Sequence, residues 1–203
     1  VKWYGELFRD EGTMKAAWVS VRIAFFTATA SVVLATVASM VMTRFRPFRG
    51  KTLFGGLITA PLVMPEVITG LSILLLFVSM GMARGMVTIW IAHVTFCMAF
   101  VTVVVSSRLS ELDKSIEEAA MDLGANRVKV FFLITLPIIM PALVSGWLLA
   151  FTLSVDDLVV SSFVSGPSST SLPMKVFSSV RLGLSPKINA LAAILVAIVA
   201  IGT

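Results

Sequence analysis

The chain has 203 residues, of which 58% are hydrophobic and only 13% charged, and its mean hydropathy is +1.00. Soluble domains carry about 25% charged residues, so this composition excludes an ordinary water-soluble protein and predicts a single polytopic membrane domain over residues 1–203. The one cysteine, Cys97, excludes a disulfide within the chain, and the net charge of +5 is spread between apolar segments, which argues against a nucleic-acid partner.

Five apolar segments follow one another along the chain and predict an all-α fold. A helix satisfies its own backbone hydrogen bonds in lipid, and about 20 apolar residues are enough to cross the hydrocarbon core. The segments cover residues 16–42, 53–79, 86–105, 131–155 and 188–203. The last is too short to span the bilayer by itself, so we expect the protein to continue past Thr203. The sequence starts at Val1 and not at a methionine, so we also expect the protein to begin before Val1.

The loop at residues 43–52 determines the predicted orientation of these segments. It contains four basic residues, Arg44, Arg46, Arg49 and Lys51. Short loops rich in arginine and lysine stay in the cytoplasm, so this loop is predicted to be cytoplasmic. Alternation then places residues 80–85 outside, 106–130 inside and 156–187 outside.

A carboxylate and two prolines interrupt the second apolar segment. Pro61 and Pro65 break the helical hydrogen-bond pattern, and Glu66 follows the second proline. Because a charged residue within a membrane span is a functional candidate, we predict that Glu66 lines a pathway for a cation and that Met64 is a gate candidate. The alternatives are that Glu66 pairs with Arg22 or caps a broken helix, and that Met64 fills the core.

Two adjacent carboxylates, Asp156 and Asp157, end the fourth segment. Consecutive helical residues point about 100° apart, so at most one of them is expected to face a pathway fully. A bound cation would relieve the repulsion between them; the alternative is an interfacial helix end. Trp147 is a third pathway candidate, because indole rings attract cations, with packing or interface anchoring as the alternative.

Two residues with metal-binding side chains, His93 and Cys97, lie one helical turn apart. Two ligands do not make a zinc site, so we predict no metal here and expect buried packing with His93 hydrogen-bonded. The sequence has no Walker A motif and no visible nucleophile–base set. It predicts a non-catalytic chain without a cofactor of its own.

The second cytoplasmic loop predicts two short helices separated by a glycine. Ser115 suits an N-cap, Glu117 and Glu118 suit a first helical turn, residues 118–123 form the first helix, and Gly124 suits the left-handed residue that ends it. Such an exposed helix buries little surface of its own. It makes most sense as an element that another protein binds.

This loop resembles the EAA loop of permease subunits of binding-protein-dependent ABC importers. The matching residues are Glu118-Ala119-Ala120, then Gly124, then Ile134-x-Leu136-Pro137. Two further segments, residues 60–70 and 153–158, resemble the polyamine branch of that family, the putrescine/spermidine permeases of bacterial inner membranes.

The resemblance implies a type I ABC importer transmembrane domain that works by alternating access, with a coupling loop at residues 106–130. The implied ATPase-coupling residues are Glu117, Glu118, Ala119, Ala120 and Gly124. The implied partners are a second permease subunit, two ATPase subunits that hold ATP and Mg²⁺, a periplasmic polyamine-binding protein and membrane lipid.

The chain also departs from the family pattern. The family usually has a further span before Lys2 and a longer outside loop than Met80–Arg84. We expect residues that this sequence does not contain; the alternative is a genuine shortening of the protein. Two alternative functions stay open: a permease for another solute, such as an anion, and a secondary transporter or channel. An anion pathway should show basic intramembrane residues, whereas a secondary transporter needs no loop for an ATPase.

Overall fold

The computed structural model describes residues 9–182, so the predicted segment 188–203 lies outside the described residues. Within that range the chain is helical, with no strand, and the predicted all-α fold class is confirmed. The helices are α1 (Glu11–Arg44), α2 (Lys51–Val63), α3 (Glu66–Ser79), α4 (Met86–Glu111), α5 (Lys114–Asp122), α6 (Arg127–Val130), α7 (Leu136–Asp156), α8 (Val159–Val164) and α9 (Leu172–Leu182). A π turn at Phe131–Thr135 joins α6 to α7.

Three long helices form the bundle. Helix α1, helix α4 and the continuous run from α6 to α7 are each long and apolar enough to cross a membrane, and α2 with α3 adds a fourth span if the bent pair is counted as one. Helices α1, α4 and α7 all pack against one another. The predicted segments 16–42, 86–105 and 131–155 fall within these three spans.

Small residues allow α1 to approach its neighbours closely. Its buried face is rich in alanine, serine and threonine, which suits membrane helices, where association depends on close packing and not on the hydrophobic effect. Ser39 Oγ donates to the Thr102 carbonyl at 3.2 Å and accepts from Ser106 Oγ at 3.0 Å. Polar contacts thus tie α1 to α4 inside an apolar bundle.

The second apolar segment is broken, and its two prolines act differently. Pro61 stays inside α2, whereas Pro65 is the N-cap of α3. The chain direction bends by 116° from α2 to α3. Met64, between them, is extended at φ −83° and ψ 135°, the conformation that a following proline favours. The break places Glu66 at the first position of α3.

Contacts between loops at the two ends of the bundle agree with the predicted alternation. Arg44 Nη2 donates to the Leu112 carbonyl at 3.1 Å, so the basic loop 43–52 lies beside the loop after α4. At the other end Thr88 Oγ1 donates to the Val164 carbonyl at 2.8 Å. The described part of 156–187, predicted to lie outside, holds the two short helices α8 and α9.

Helix α5 begins earlier than expected. Its N-cap is Asp113, whose Oδ1 accepts from the Ser115 N–H at 2.9 Å, so the prediction of Ser115 as N-cap is wrong: Ser115 already lies in the first turn. The hydrogen bonds from the backbone and the side chain of Ser115 lower the pKa of Asp113 below its usual value. Gly124 has φ +89°, which confirms the predicted left-handed end.

Candidate functional site

A cavity of about 120 Å³ opens where the α2–α3 break faces α4 and the α7–α8 junction. This volume exceeds the roughly 30 Å³ that a water molecule occupies in the liquid. The residues that give it its chemistry are Met64, Glu66, Thr69, Phe96, Phe100 and Asp157. The fold therefore brings three of the sequence-predicted pathway residues, Met64, Glu66 and Asp157, to one cavity.

Asp157 is held by several donors at the junction of α7 and α8. Its side chain is only 6% exposed. Oδ1 accepts from the Val160 N–H at 3.2 Å, and Oδ2 accepts from the Ser161 N–H at 2.7 Å. These are the free N–H groups that start α8, so the carboxylate caps that helix while it lines the cavity.

His93 on α4 completes the surroundings of this carboxylate. Its Nε2 lies 3.1 Å from Asp157 Oδ2 and 3.0 Å from Ser161 Oγ, and its Nδ1 lies 2.7 Å from Ser154 Oγ. A neutral imidazole with its proton on Nε2 donates to Asp157 and accepts from the Ser154 hydroxyl. The predicted hydrogen bonding of His93 is confirmed.

Glu66 lines the same cavity from the start of α3. Its side chain is exposed, and its place in the first turn of α3 is where a helix dipole favours a carboxylate. Arg22, the alternative partner considered for it, is itself exposed on α1. Glu66 thus combines a helix-start position with access to the cavity.

Two other predicted pathway residues lie elsewhere. Asp156 is exposed at the end of α7, and it is Asp157 that lines the cavity. Trp147 Nε1 donates to Thr29 Oγ1 at 3.2 Å, and its ring stacks on Phe151 with centroids 5.3 Å apart. Trp147 therefore sits in the contact between α1 and α7, an arrangement that favours the packing alternative.

Cys97 is buried one turn from His93, and its Sγ donates to the Ala150 carbonyl at 3.6 Å. In the part of the chain that the structure describes, no group of three or more histidine, cysteine, aspartate or glutamate side chains lies close enough to hold a metal.

The predicted coupling residues lie on a helix that projects from the bundle. Helix α5 buries none of its residues. Glu118, Ala119 and Gly124 are exposed and Ala120 is half-buried, while Leu123, beside the glycine, is 91% exposed. These residues form an exposed surface that is accessible to a partner protein.

Glu117 differs from the other coupling residues because its carboxylate faces the chain itself. Oε2 lies 2.9 Å from Arg44 Nε, and Oε1 accepts from Thr135 Oγ1 at 2.8 Å. The Arg44 Nε–H does not point along the line to the carboxylate, so this contact is a charge pair more than an aligned hydrogen bond.

Sequence reasoning missed Ser154 and Ser161 as partners of His93, and Arg44 as the partner of Glu117. The spacing of Ser154 and Asp157 would have indicated a shared helical face. Nothing in the sequence indicated that His93, on another helix, would join them.

The family described as binding-protein-dependent transport system inner membrane component matches residues 23–203. The putrescine transport system permease protein PotI of Escherichia coli strain K12 is 63% identical, over 98% of this chain and 73% of that protein. The spermidine/putrescine transport system permease protein PotC of Haemophilus influenzae is 44% identical, over 96% of this chain and 75% of that protein.

A solved structure shows the same fold. It is a bacterial ABC transporter involved in the import of the acidic polysaccharide alginate, with a TM-score of 0.71 at 19% identity, covering 96% of this chain and 68% of that chain. The likeness at this identity concerns the fold alone, and it confirms the predicted importer transmembrane fold.

We predict that His93→Leu destabilises the protein more than His93→Gln. Leucine leaves the Ser154 hydroxyl and Asp157 without their shared partner, a loss of about 1–3 kcal/mol for an orphaned buried group, whereas glutamine replaces one of the contacts. Thermal unfolding of the detergent-solubilised protein measures the difference. Thr95→Val, at an exposed position on the same helix, is the control; a His93→Leu variant as stable as the unaltered protein would contradict the assignment.

Proposed function

The chain belongs to the family of binding-protein-dependent transport system inner membrane components, and we propose that it is a permease subunit of an ABC importer for polyamines. The observation that carries the solute assignment is the cavity shared by Glu66 and Asp157. Among the described residues that line it, two are acidic and none is basic. The polyamine names of the relatives at 63% and 44% identity support the same assignment.

The surroundings of Asp157 suit an amine that must bind and leave. Backbone N–H groups and His93 hold the carboxylate in place, so no rearrangement of it is needed when a cation arrives. The aromatic rings of Phe96 and Phe100 line the same cavity and add cation–π attraction. Glu66 offers a second carboxylate, which suits a molecule with more than one amine.

The alternatives fit these features less well. An anion would meet two carboxylates in the cavity, and like charges repel. A secondary transporter has no use for a projecting cytoplasmic helix, whereas α5 exposes Ile116 and Met121, and Leu123 directly after the helix is exposed as well. These exposed apolar side chains support the proposal that a partner docks on this helix.

The assembly that supports this function contains several chains. This chain pairs with a second permease subunit in the bacterial inner membrane, receives the polyamine from a periplasmic binding protein and docks on one of two ATPase subunits. ATP and Mg²⁺ are held by those ATPase subunits, and this chain contributes no catalytic group.

The proposed mechanism is alternating access driven by the ATPase subunits. Their closure on ATP moves α5, whose movement reaches the membrane helices and opens the cavity toward the periplasm; hydrolysis resets it toward the cytoplasm. Any such coupling requires that ATP and polyamine each favour one of two conformations. The Met64–Pro65 break, where the chain direction bends by 116° from α2 to α3, is the point at which this wall of the cavity can change.

We predict that Asp157→Asn lowers polyamine uptake much more than Asp156→Asn. Both variants remove one negative charge from adjacent positions, but only Asp157 lines the cavity. Losing one charge-assisted contact of about 1.5–3 kcal/mol corresponds to a decrease of at least about tenfold in uptake efficiency. Radiolabelled putrescine uptake by the reconstituted complex measures it, with Glu66→Gln expected to raise the KM.

The matched pair keeps this experiment decisive. Equal activity of the two aspartate variants would remove Asp157 from the pathway, and unchanged kinetics in Asp157→Asn and Glu66→Gln together would remove the cavity from the mechanism.

We predict that Glu118→Lys uncouples ATP hydrolysis from transport while the protein still inserts and assembles. The side chain is exposed on α5, so its reversal alters the docking surface without disturbing the bundle. Uptake per ATP hydrolysed is expected to fall by about tenfold. Glu111→Lys, at the exposed end of α4, is the control. Normal coupled transport in Glu118→Lys would refute the docking assignment.

A further inference from the structure

One carboxylate on the projecting helix joins three separate parts of the chain. Glu117 on α5 contacts Arg44, the last residue of α1, at 2.9 Å, and Thr135, the last residue of the π turn that leads into α7, at 2.8 Å. Arg44 Nη2 also donates to the Leu112 carbonyl, just before α5, at 3.1 Å. The cytoplasmic ends of two membrane spans are thereby fixed to one side chain.

The contact lies in a protected position, unlike an ordinary surface ion pair. The Arg44 and Glu117 side chains are 10% and 13% exposed, so the solvent screens them weakly. The neighbouring pair Arg108–Glu111 is 46% and 63% exposed, where ion pairs contribute little. The two pairs also differ in what they connect: Arg108 and Glu111 lie three residues apart in α4, whereas Arg44 and Glu117 join two separate helices.

Apart from Glu117, α5 makes few contacts through which its movement could reach the membrane helices. The helix buries none of its own residues, and among the described elements it packs mainly against the single turn of α6. A helix attached this weakly could tilt without moving the bundle unless a specific contact connects them. Glu117 supplies that contact to both α1 and α7.

The contact also reaches an irregular point of the fourth span. Thr135 ends a π turn of five residues, Phe131–Thr135, which then gives way to the regular helix α7. Such turns are rare and are frequently found at functional sites. A movement of Glu117 would therefore displace Thr135 at the point where the span departs from regular α-helical geometry.

We propose that Glu117 is a positioning residue that transmits the movement of α5 to α1 and α7 through Arg44 and Thr135, and is not a contact to the ATPase. The inference rests on the proposed ATP-driven function. It divides the two adjacent carboxylates by role: Glu118 faces outward to the partner, and Glu117 faces inward to the bundle.

The test follows the cavity directly, whichever solute is carried. Cys97→Ala removes the buried thiol, and Met64→Cys places a new one at the cavity. The rate at which a membrane-impermeant maleimide labels this thiol is compared in the assembled complex without nucleotide and trapped with ATP and vanadate. The background protein is expected to show a change of about fivefold or more between the two states.

In Glu117→Gln and Arg44→Gln the change in labelling rate is expected to shrink to less than about twofold, while the ATPase still copurifies and hydrolyses ATP. Arg44→Lys, which keeps the charge, should restore part of the change, and Thr135→Val should give an intermediate value. Glu111→Gln removes an exposed carboxylate from the control pair and should behave like the background protein.

These readouts separate coupling from folding, because a merely structural role would lower assembly and ATP hydrolysis as well. A full nucleotide-dependent change in Glu117→Gln would overturn the inference, as would its absence in the background protein. The solute assignment is tested separately: if it is wrong, the unaltered complex shows no ATP-driven putrescine uptake.

Discussion

The buried carboxylate of Asp157 imposes the constraint around which the cavity is organised. A charge within a membrane bundle is tolerated only where hydrogen-bond donors surround it, and here those donors come from two helices, α4 and α8. The start of α8 supplies two backbone N–H groups, and α4 supplies His93, which is itself fixed by Ser154 on α7. The need to provide hydrogen-bond donors for one buried carboxylate thus determines how α4, α7 and α8 pack against one another.

The same helix that ends at this carboxylate begins at the contact to α5. Thr135 directly precedes α7 and Asp157 directly follows it. The 21 residues of α7 extend about 30 Å, the thickness of the hydrocarbon core. A movement at Thr135 can therefore reach the cavity at the other end of α7 along a single helix, which packs on α1 and α4.

Much of this architecture was predictable from local chemistry. Hydropathy indicated the spans, Gly124 indicated the left-handed end of the coupling helix, and Pro65 with Glu66 indicated a break that carries a charge. Each of these signals lies within a few residues of the feature it predicts. Glu66 and the adjacent pair Asp156 and Asp157 stand out for the same reason, because a carboxylate beside an apolar run is visible in sequence. The sequence does not decide which of the two aspartates lines the cavity.

The unpredicted features depend on tertiary contacts. The partners of His93 come from α7 and α8, and the partner of Glu117 comes from the end of α1, so no spacing in the sequence brings them together. Arg44 counted only as one of several basic residues that orient the chain, although its side chain is largely buried against Glu117. The N-cap was misplaced from Asp113 to Ser115 because both residue types cap helices well and only the backbone geometry distinguishes them.

The central claim, an ATP-driven permease for polyamines, is tested most directly by radiolabelled putrescine uptake into proteoliposomes that hold the complete complex. Uptake is measured with and without ATP, and with unlabelled spermidine, sulfate or amino acids as competitors. The account predicts uptake that requires ATP and is blocked only by polyamines. Uptake that proceeds without ATP would contradict the coupling assignment, and ATP-driven transport of a different competitor would contradict the solute.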